Sequence, residues 1–527
     1  MKKQVLTGAQ AAELIKDSMT VLVSGFVGFG VAEEILCALE ERYIKTGSPK
    51  NLTVIAAAGV GDVSALVGER GTRGFNHFAH DGMVKRIIIG HMGQAPKLGV
   101  FVAEEKVECF MLPQGVIAHL VRAGAGGKPG IITHVGLGTF IDPRLDGGAA
   151  NTCTVRDMVE LIEIGGEEKL FYKTFKVDVS IIRGTTADEN GNISLEHEAL
   201  FADPLSTAMI ARNNGGMVFA QVSRLVQANQ IKAQQVKVPA CLVDVLVKAS
   251  PENHLQSYYY PDYHPELSGE IRIPLDSIPS LPLDMRKVCA RRGAMELFHG
   301  AIVNLGLGVP DAVGSVASEE GVKDDIYLTI EAGTMGGVPM GGSAIGSSIN
   351  VEAIIDQGYQ FDLYDGGGLD LAYLGLAQVD KKGNINVSKF DGRVVGPGGF
   401  INISQNAKKM VFCGNFTAGG LKIDVADGRL NIRQEGRSQK FVDAVEHVTF
   451  SGEYALRSGQ EVLYITERAV FKLTPQGLML TEIAPGVSLQ EDVLNQMGFE
   501  PIIAPDLKVM DERIFKDAVM GLTLQER

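Results

Sequence analysis

Glu331 closes an apolar run, Tyr327-Leu328-Thr329-Ile330, and is followed at once by Ala332-Gly333 and then by Gly336-Gly337-Val338-Pro339-Met340-Gly341-Gly342. The pattern reads as a buried strand that delivers one carboxylate into a loop of small residues. At the carboxyl end of a parallel strand such a group faces the ligand crevice of an open α/β sheet, and glycines let a substrate come close to the backbone. The competing reading is a charged residue that ends a strand in solvent.

Other chemistries find less support. A phosphate-binding Gly-x-x-x-x-Gly-Lys-Ser/Thr loop is missing, because Gly124-Ala125-Gly126-Gly127-Lys128 runs into Pro129. The Gly-x-Gly turns at Gly28, Gly136 and Gly306 lack the third glycine of a dinucleotide fingerprint, although a glycine turn opening a helix can still receive a phosphate. His77 and His80 have ligand-like spacing without the rest of a ligand set, so they read as structural and no metal site is expected. Cys37, Cys109, Cys153, Cys241, Cys289 and Cys413 form no CxxC pair, which suits reduced thiols used as small apolar residues.

These groups must be positioned by a chain of 527 residues, too long for one hydrophobic core, so at least two domains are expected. The formal charge of −14 argues against nucleic-acid or acidic-membrane partners. Neither a signal peptide nor a membrane-length apolar run is evident, and a cytoplasmic protein is expected. The halves carry a diverged repeat: Gly28-Phe29-Gly30-Val31 answers Gly306-Leu307-Gly308-Val309, Asp188-Glu189-Asn190-Gly191-Asn192 answers Asp380-Lys381-Lys382-Gly383-Asn384, and Met217-Val218-Phe219 answers Met410-Val411-Phe412. Between them runs a stretch rich in proline and tyrosine, including Tyr258-Tyr259-Tyr260-Pro261, whose tyrosines are expected to anchor it as a linker.

Strands are expected at Leu52 to Ala56, Arg86 to Ile89, Val177 to Ile182 and Lys409 to Phe412. A helix capped by Asp284 is expected to carry Ala290, Ala294, Leu297 and Phe298 on one face, with Gly293 weakening it. The fold class is α/β: two related open α/β domains from a diverged internal repeat, with mainly parallel sheets and flanking helices. The expected division is residues 1–250, a linker over 251–284, and 285–527 carrying the candidate carboxylate.

The chain resembles the family I coenzyme A transferases, and among them the propionate or acetate CoA-transferases with both halves fused. The first half carries Ser24-Gly25-Phe26-Val27-Gly28, Pro113-Gln114-Gly115 with Arg122-Ala123-Gly124-Ala125-Gly126, and Gly136-Leu137-Gly138-Thr139-Phe140. The second carries Gly306-Leu307-Gly308-Val309-Pro310, Glu331-Ala332-Gly333, Asp365-Gly366-Gly367-Gly368, Gly396-Pro397-Gly398-Gly399-Phe400, Thr466-Glu467-Arg468 and Glu482-Ile483-Ala484-Pro485-Gly486.

The resemblance implies transfer of CoA between a short-chain acyl-CoA and a free carboxylate such as acetate, propionate or butyrate, through a thioester on Glu331. It implies no cofactor beyond coenzyme A as substrate, no metal, and a homo-oligomer. By the same resemblance Gly398 and Gly399 offer backbone N–H groups to an oxyanion, Gln114 faces the reacting centre, and Gly306, Leu307, Gly308, Val309 and Pro310 form a turn at the CoA site. Some relatives have Asn where this chain has Ala332, so a side-chain donor is missing at that place. An acyl-CoA hydrolase or a noncatalytic CoA-binding protein on the same scaffold are the alternatives.

Overall fold

The computed structural model describes residues 2–62, 73–260, 262–274 and 280–526; Pro261 and residues 275–279 of the expected linker lie outside the described residues. Short runs rich in β-branched residues pair in parallel in the first half. Their spatial order is Gln4–Leu6, Val245–Lys248, Met217–Val226, Val179–Asp188, Thr20–Val23, Leu52–Ala56, Val84–Ile89 and Glu108–Met111, with Ile193–Ser194 antiparallel to one of them. Every residue of Val179–Asp188 is buried, because helices cover both faces of a parallel sheet and leave no side that can stay polar.

The second sheet repeats this arrangement. Glu461–Ile465, Lys409–Cys413, Leu371–Gly375, Ile302–Leu305 and Tyr327–Thr329 lie side by side, all parallel, and Ala469–Thr474 and Gly477–Ile483 extend one edge in antiparallel fashion. The repeat extends to single hydrogen bonds. Asp188 accepts the N–H groups of Asn190 and Asn192 on one oxygen and the Asn192 amide on the other, and Asp380 does the same with Lys382 and Asn384.

Pairing also aligns the halves residue by residue. Met217 pairs with Val179, which pairs with Val21, which pairs with Val54; Met410 leads likewise through Ala372 and Asn304 to Thr329. Two residues further on, Ala56 of the first half answers Glu331 of the second. The duplicated strand thus carries a methyl group where its copy carries the carboxylate.

One expectation needs correction. Asp284 does cap a helix, its side chain accepting the Lys287 N–H, but the helix is Met285–Ala294 and ends before Leu297 and Phe298. The Gly293 carbonyl, which a longer helix would pair with Leu297, instead accepts the Glu296 N–H in a tighter turn and the Tyr373 hydroxyl, both at 3.0 Å. Described residues of the expected linker and its surroundings reach both halves. Tyr258 donates its N–H to Gly28 and its hydroxyl to Glu33, while Asn350 exchanges hydrogen bonds with the backbone of Ile273.

The halves meet along Gln114–Ala125, which packs against Gln357–Asp365 and Phe400–Asn406. Gly115 permits the approach: a Cβ there would lie 2.6 Å from the Asn402 amide nitrogen and from the Phe361 ring. Its N–H donates to Asn402 Oδ1 at 3.1 Å, and Arg122 at the far end of the helix forms a two-pronged pair with Asp362. Gly115→Ala should therefore destabilise the protein by about 1–3 kcal/mol through overpacking. Thermal denaturation of the pure variant checks this; an unchanged midpoint would show that the interface yields freely.

Candidate active site

The carboxyl ends of parallel strands from both sheets converge on one cavity of about 230 Å³. Gly59 follows the strand Leu52–Ala56, His91 follows Val84–Ile89, and Gln114 follows Glu108–Met111. From the second half, Gly306 follows Ile302–Leu305, Glu331 follows Tyr327–Thr329, and Leu374 and Gly375 end the strand Leu371–Gly375. This is the crevice that an open α/β sheet offers a ligand, here closed from above by a second sheet.

Glu331 is the only carboxylate lining the cavity among the described residues. Its Oε2 is buried without a hydrogen-bond partner. Loss of hydration raises the carboxyl pKa from 4.5 to about 7, against a smaller opposing pull from its own backbone and the Asn304 amide. Asn304 is fully buried on the neighbouring strand, its Nδ2 donating to the Tyr364 hydroxyl at 3.1 Å. Ala332 is also fully buried, in an apolar cluster with Phe26, Phe29 and Leu200, so the residue after Glu331 packs and offers no hydrogen bond from its side chain.

The loop Gly396–Gly399 forms the facing wall. Gly399 lies closest to Glu331: a Cβ placed on it would sit 3.1 Å from Glu331 Cγ. Its N–H has no acceptor among the described residues. The Gly398 N–H donates to the Gly90 carbonyl at 2.8 Å, and this corrects the expectation that both glycines offer free donors. The other half claims that N–H before a substrate arrives.

Gln114 is buried on the cavity wall, not a surface amide. Its backbone N–H donates to the Gly398 carbonyl at 2.8 Å and its Nε2 to Gln357 Oε1 at 2.9 Å. Gly306 and Leu307 line the cavity; Gly308, Val309 and Pro310 do not. Leu307 is nearly half exposed, and the Gly308 peptide is held from outside by Arg286 and Asp311.

His91 is the wall residue that sequence reasoning missed. A polar residue two positions past the expected strand Arg86 to Ile89 was the available signal, since that position falls in the crevice. His77 and His80 sit elsewhere: His77 bridges Glu33 at 2.8 Å and Glu40 at 2.6 Å, and His80 meets Glu40 at 2.7 Å. Burial opposes the charge on His77, yet hydrogen bonds to Cys37, Glu33 and Glu40 raise its pKa well above the ordinary value. Both of its ring nitrogens are therefore occupied by a salt-bridge network. None of the six cysteines lines the cavity.

Comparison with known proteins fits this geometry. Residues 5–249 match the family described as Coenzyme A transferase. The chain is 48% identical over 522 residues to a caffeate CoA-transferase of Acetobacterium woodii, covering 98% of each. It is 44% identical over 524 residues to the acetate CoA-transferase YdiF of Escherichia coli O157:H7, covering 99% of this chain and 97% of that one. The crystal structure of that acyl-CoA transferase described as a thioester complex with CoA superposes with a TM-score of 0.93 at 42% identity, covering 100% of this chain and 98% of the other.

The raised pKa of Glu331 makes a prediction about stability. Between pH 4.5 and about 7 the folded protein holds a proton on Glu331 that the unfolded chain has released, so stability falls as pH rises through that window. Glu331→Gln removes the penalty. The variant should be more stable than the wild type at pH 8, by about 1–3 kcal/mol, and the difference should vanish near pH 4.5. Denaturation midpoints across the range check this; equal midpoints at pH 8 would show that Glu331 is well solvated.

Proposed function

The chain belongs to the family I coenzyme A transferases, and from that premise we propose that Glu331 is the nucleophile that carries CoA between a short-chain acyl-CoA and a free carboxylate. The supporting observation is its isolation: one desolvated carboxylate on the cavity wall, with no cation paired to it and one oxygen without a partner among the described residues. The relative described as a thioester complex with CoA favours the same intermediate.

In this reading a Glu331 oxygen attacks the thioester carbonyl, the C–S bond breaks, and CoA thiolate leaves behind an acyl-glutamyl anhydride. The thiolate attacks the glutamyl carbonyl, expels the donor acid as its carboxylate, and leaves a glutamyl-CoA thioester. An incoming carboxylate attacks that thioester and releases the thiolate, which then takes the acyl group and restores Glu331. Covalent catalysis splits one exchange into easier steps and needs no net proton. A carboxylate stripped of water is a stronger nucleophile than a hydrated one. Among backbone donors, Gly399 is the one placed for an oxyanion at Glu331. Gly306 and Leu307 take the pantetheine end of CoA, and Gly308, Val309 and Pro310 the more distant part.

Acetate, propionate and butyrate remain the proposed acids. A second class, an aryl-propenoate, is favoured by one observation. The cavity of about 230 Å³ is walled by Phe26, Phe400, Leu374 and Ile345 and offers far more apolar room than a two-carbon acyl group fills. The name of the 48% identical relative points the same way. Competition of acetate and caffeate for one acyl-CoA donor separates the two classes.

Incubation with acyl-CoA and labelled acetate tests the activity: label should enter CoA thioester, whereas net thioester loss would indicate a hydrolase and neither outcome a binder. Without acceptor, mass spectrometry should find CoA on the peptide containing Glu331. An adduct on a cysteine would overturn the assignment.

Two variants add detail. Glu331→Gln should abolish most exchange. Gly399→Ala should keep the fold but push the Glu331 side chain by a few tenths of an ångström, costing roughly tenfold or more in kcat. Unchanged kcat in Gly399→Ala would separate the Gly399 wall from the reacting centre. The apparent kcat/KM for acyl-CoA should rise with pH through about 7, as Glu331 loses its proton in the free enzyme.

A further inference from the structure

This inference rests on the reading of Glu331 as nucleophile and concerns the donor that Ala332 leaves out. Each tetrahedral step concentrates negative charge on one acyl oxygen, and a single preorganised donor there changes the rate by about a hundredfold or more. Beside the free Gly399 N–H the cavity is short of such donors. The Gly398 N–H is spent on Gly90, the Gln114 Nε2 on Gln357, and Ala332 has none to give.

Two other lining side chains carry N–H groups: Gln94 packs beside Gly59, and His91 is the one that borders the glycine loop facing Glu331. Its Nδ1 accepts the Gly93 N–H at 3.1 Å, which fixes the tautomer: the proton of the neutral ring sits on Nε2. That Nε2 has no partner among the described residues, and His91 lines the cavity. Burial lowers the imidazole pKa to about 4, so the ring is neutral at physiological pH and acts as a donor without adding a charge.

The position of the ring is also fixed. Gly90 accepts from the Gly398 N–H, and the Met92 N–H donates to the Val395 carbonyl at 2.7 Å, so the backbone on either side of His91 is bonded to the loop of the other half. A Cβ on Gly398 would lie 3.8 Å from His91 Cδ2, the atom bonded to Nε2, while one on the adjacent Gly399 would lie 3.1 Å from Glu331 Cγ. The imidazole edge and the carboxylate therefore border consecutive residues of one loop.

We propose that His91 donates its Nε2–H to the acyl oxygen under attack at Glu331, supplying from the first half the side-chain donor that Ala332 lacks. The role is hydrogen bonding alone: no proton leaves His91 during transfer.

Two substitutions separate this role from a structural one. In His91→Asn the side-chain oxygen stands where Nδ1 did and can still accept from Gly93, but nothing replaces Nε2. In His91→Gln the terminal amide nitrogen reaches the place of Nε2 and restores the donor. His91→Asn should lose about a hundredfold in kcat, with KM for acyl-CoA and the melting temperature nearly unchanged, and His91→Gln should recover at least about tenfold of that loss. The proposal fails if His91→Asn stays within about threefold of the wild type, or if His91→Gln is as poor as His91→Asn. The CoA adduct on Glu331 is measured in parallel. A wild type without it removes the Glu331 reading and His91 with it. A wild type with it beside a fully active His91→Asn removes His91 alone.

Discussion

The peptide unit of Gly398 holds the two halves in working alignment. Its N–H is bound by the Gly90 carbonyl and its carbonyl by the Gln114 N–H, so one residue of the second half is inserted into the backbone of the first, between the ends of two strands. Everything at the cavity follows from that insertion. It brings Gly399 against Glu331, fixes His91 beside the loop, and leaves the Gln114 side chain on the wall. Buried backbone groups must be paired, so the halves cannot part here without exposing or orphaning both bonds.

Around this contact the seam is reinforced by further hydrogen bonds, beside an apolar cluster that joins Phe26 and Leu200 to Ala332 and Ile345. Gln405 accepts the Gly136 N–H and donates to the Leu137 carbonyl, His134 meets Asn406 at 2.7 Å, and the Phe140 N–H donates to Val448. Directional bonds specify one relative placement, whereas apolar contact alone would tolerate sliding. A site assembled from two walls needs that specification, because reacting groups misplaced by about 1 Å lose much of their advantage. The same seam limits water at Glu331, and water is the competing nucleophile that separates a transferase from a hydrolase.

Local features of the fold and its internal repeat were legible in the sequence, and contacts between distant residues were not. The strand before Glu331, the strand Leu52–Ala56, the Asp284 cap and the paired Asp turns all follow from residue type and short-range spacing. The helix after Asp284 ends at Ala294, short of the expected face, where the Gly293 carbonyl accepts both the Glu296 N–H and the Tyr373 hydroxyl, the latter some eighty residues away. The adjacent glycines Gly398 and Gly399 look alike in sequence, and which N–H stays free is settled by Gly90, from the other half. His91 could be placed in the crevice from its position after the strand, but its setting depends on a loop three hundred residues later. The motifs Arg122 and Gly136-Leu137, which helped carry the family resemblance, hold the seam and stand away from the cavity.

The match of Ala56 to Glu331 has a consequence for how such a chain can change. Two identical copies of this fold meeting face to face would share one sequence, so any residue gained by one wall would be imposed on the other. Joining the copies in one polypeptide lifts that symmetry. One strand end is then free to keep a carboxylate while its counterpart shrinks to alanine, and the first wall is free to specialise in donors that an equal partner would have duplicated to no purpose. The duplication supplies the scaffold twice, but the chemistry comes from the places where the two copies have ceased to agree.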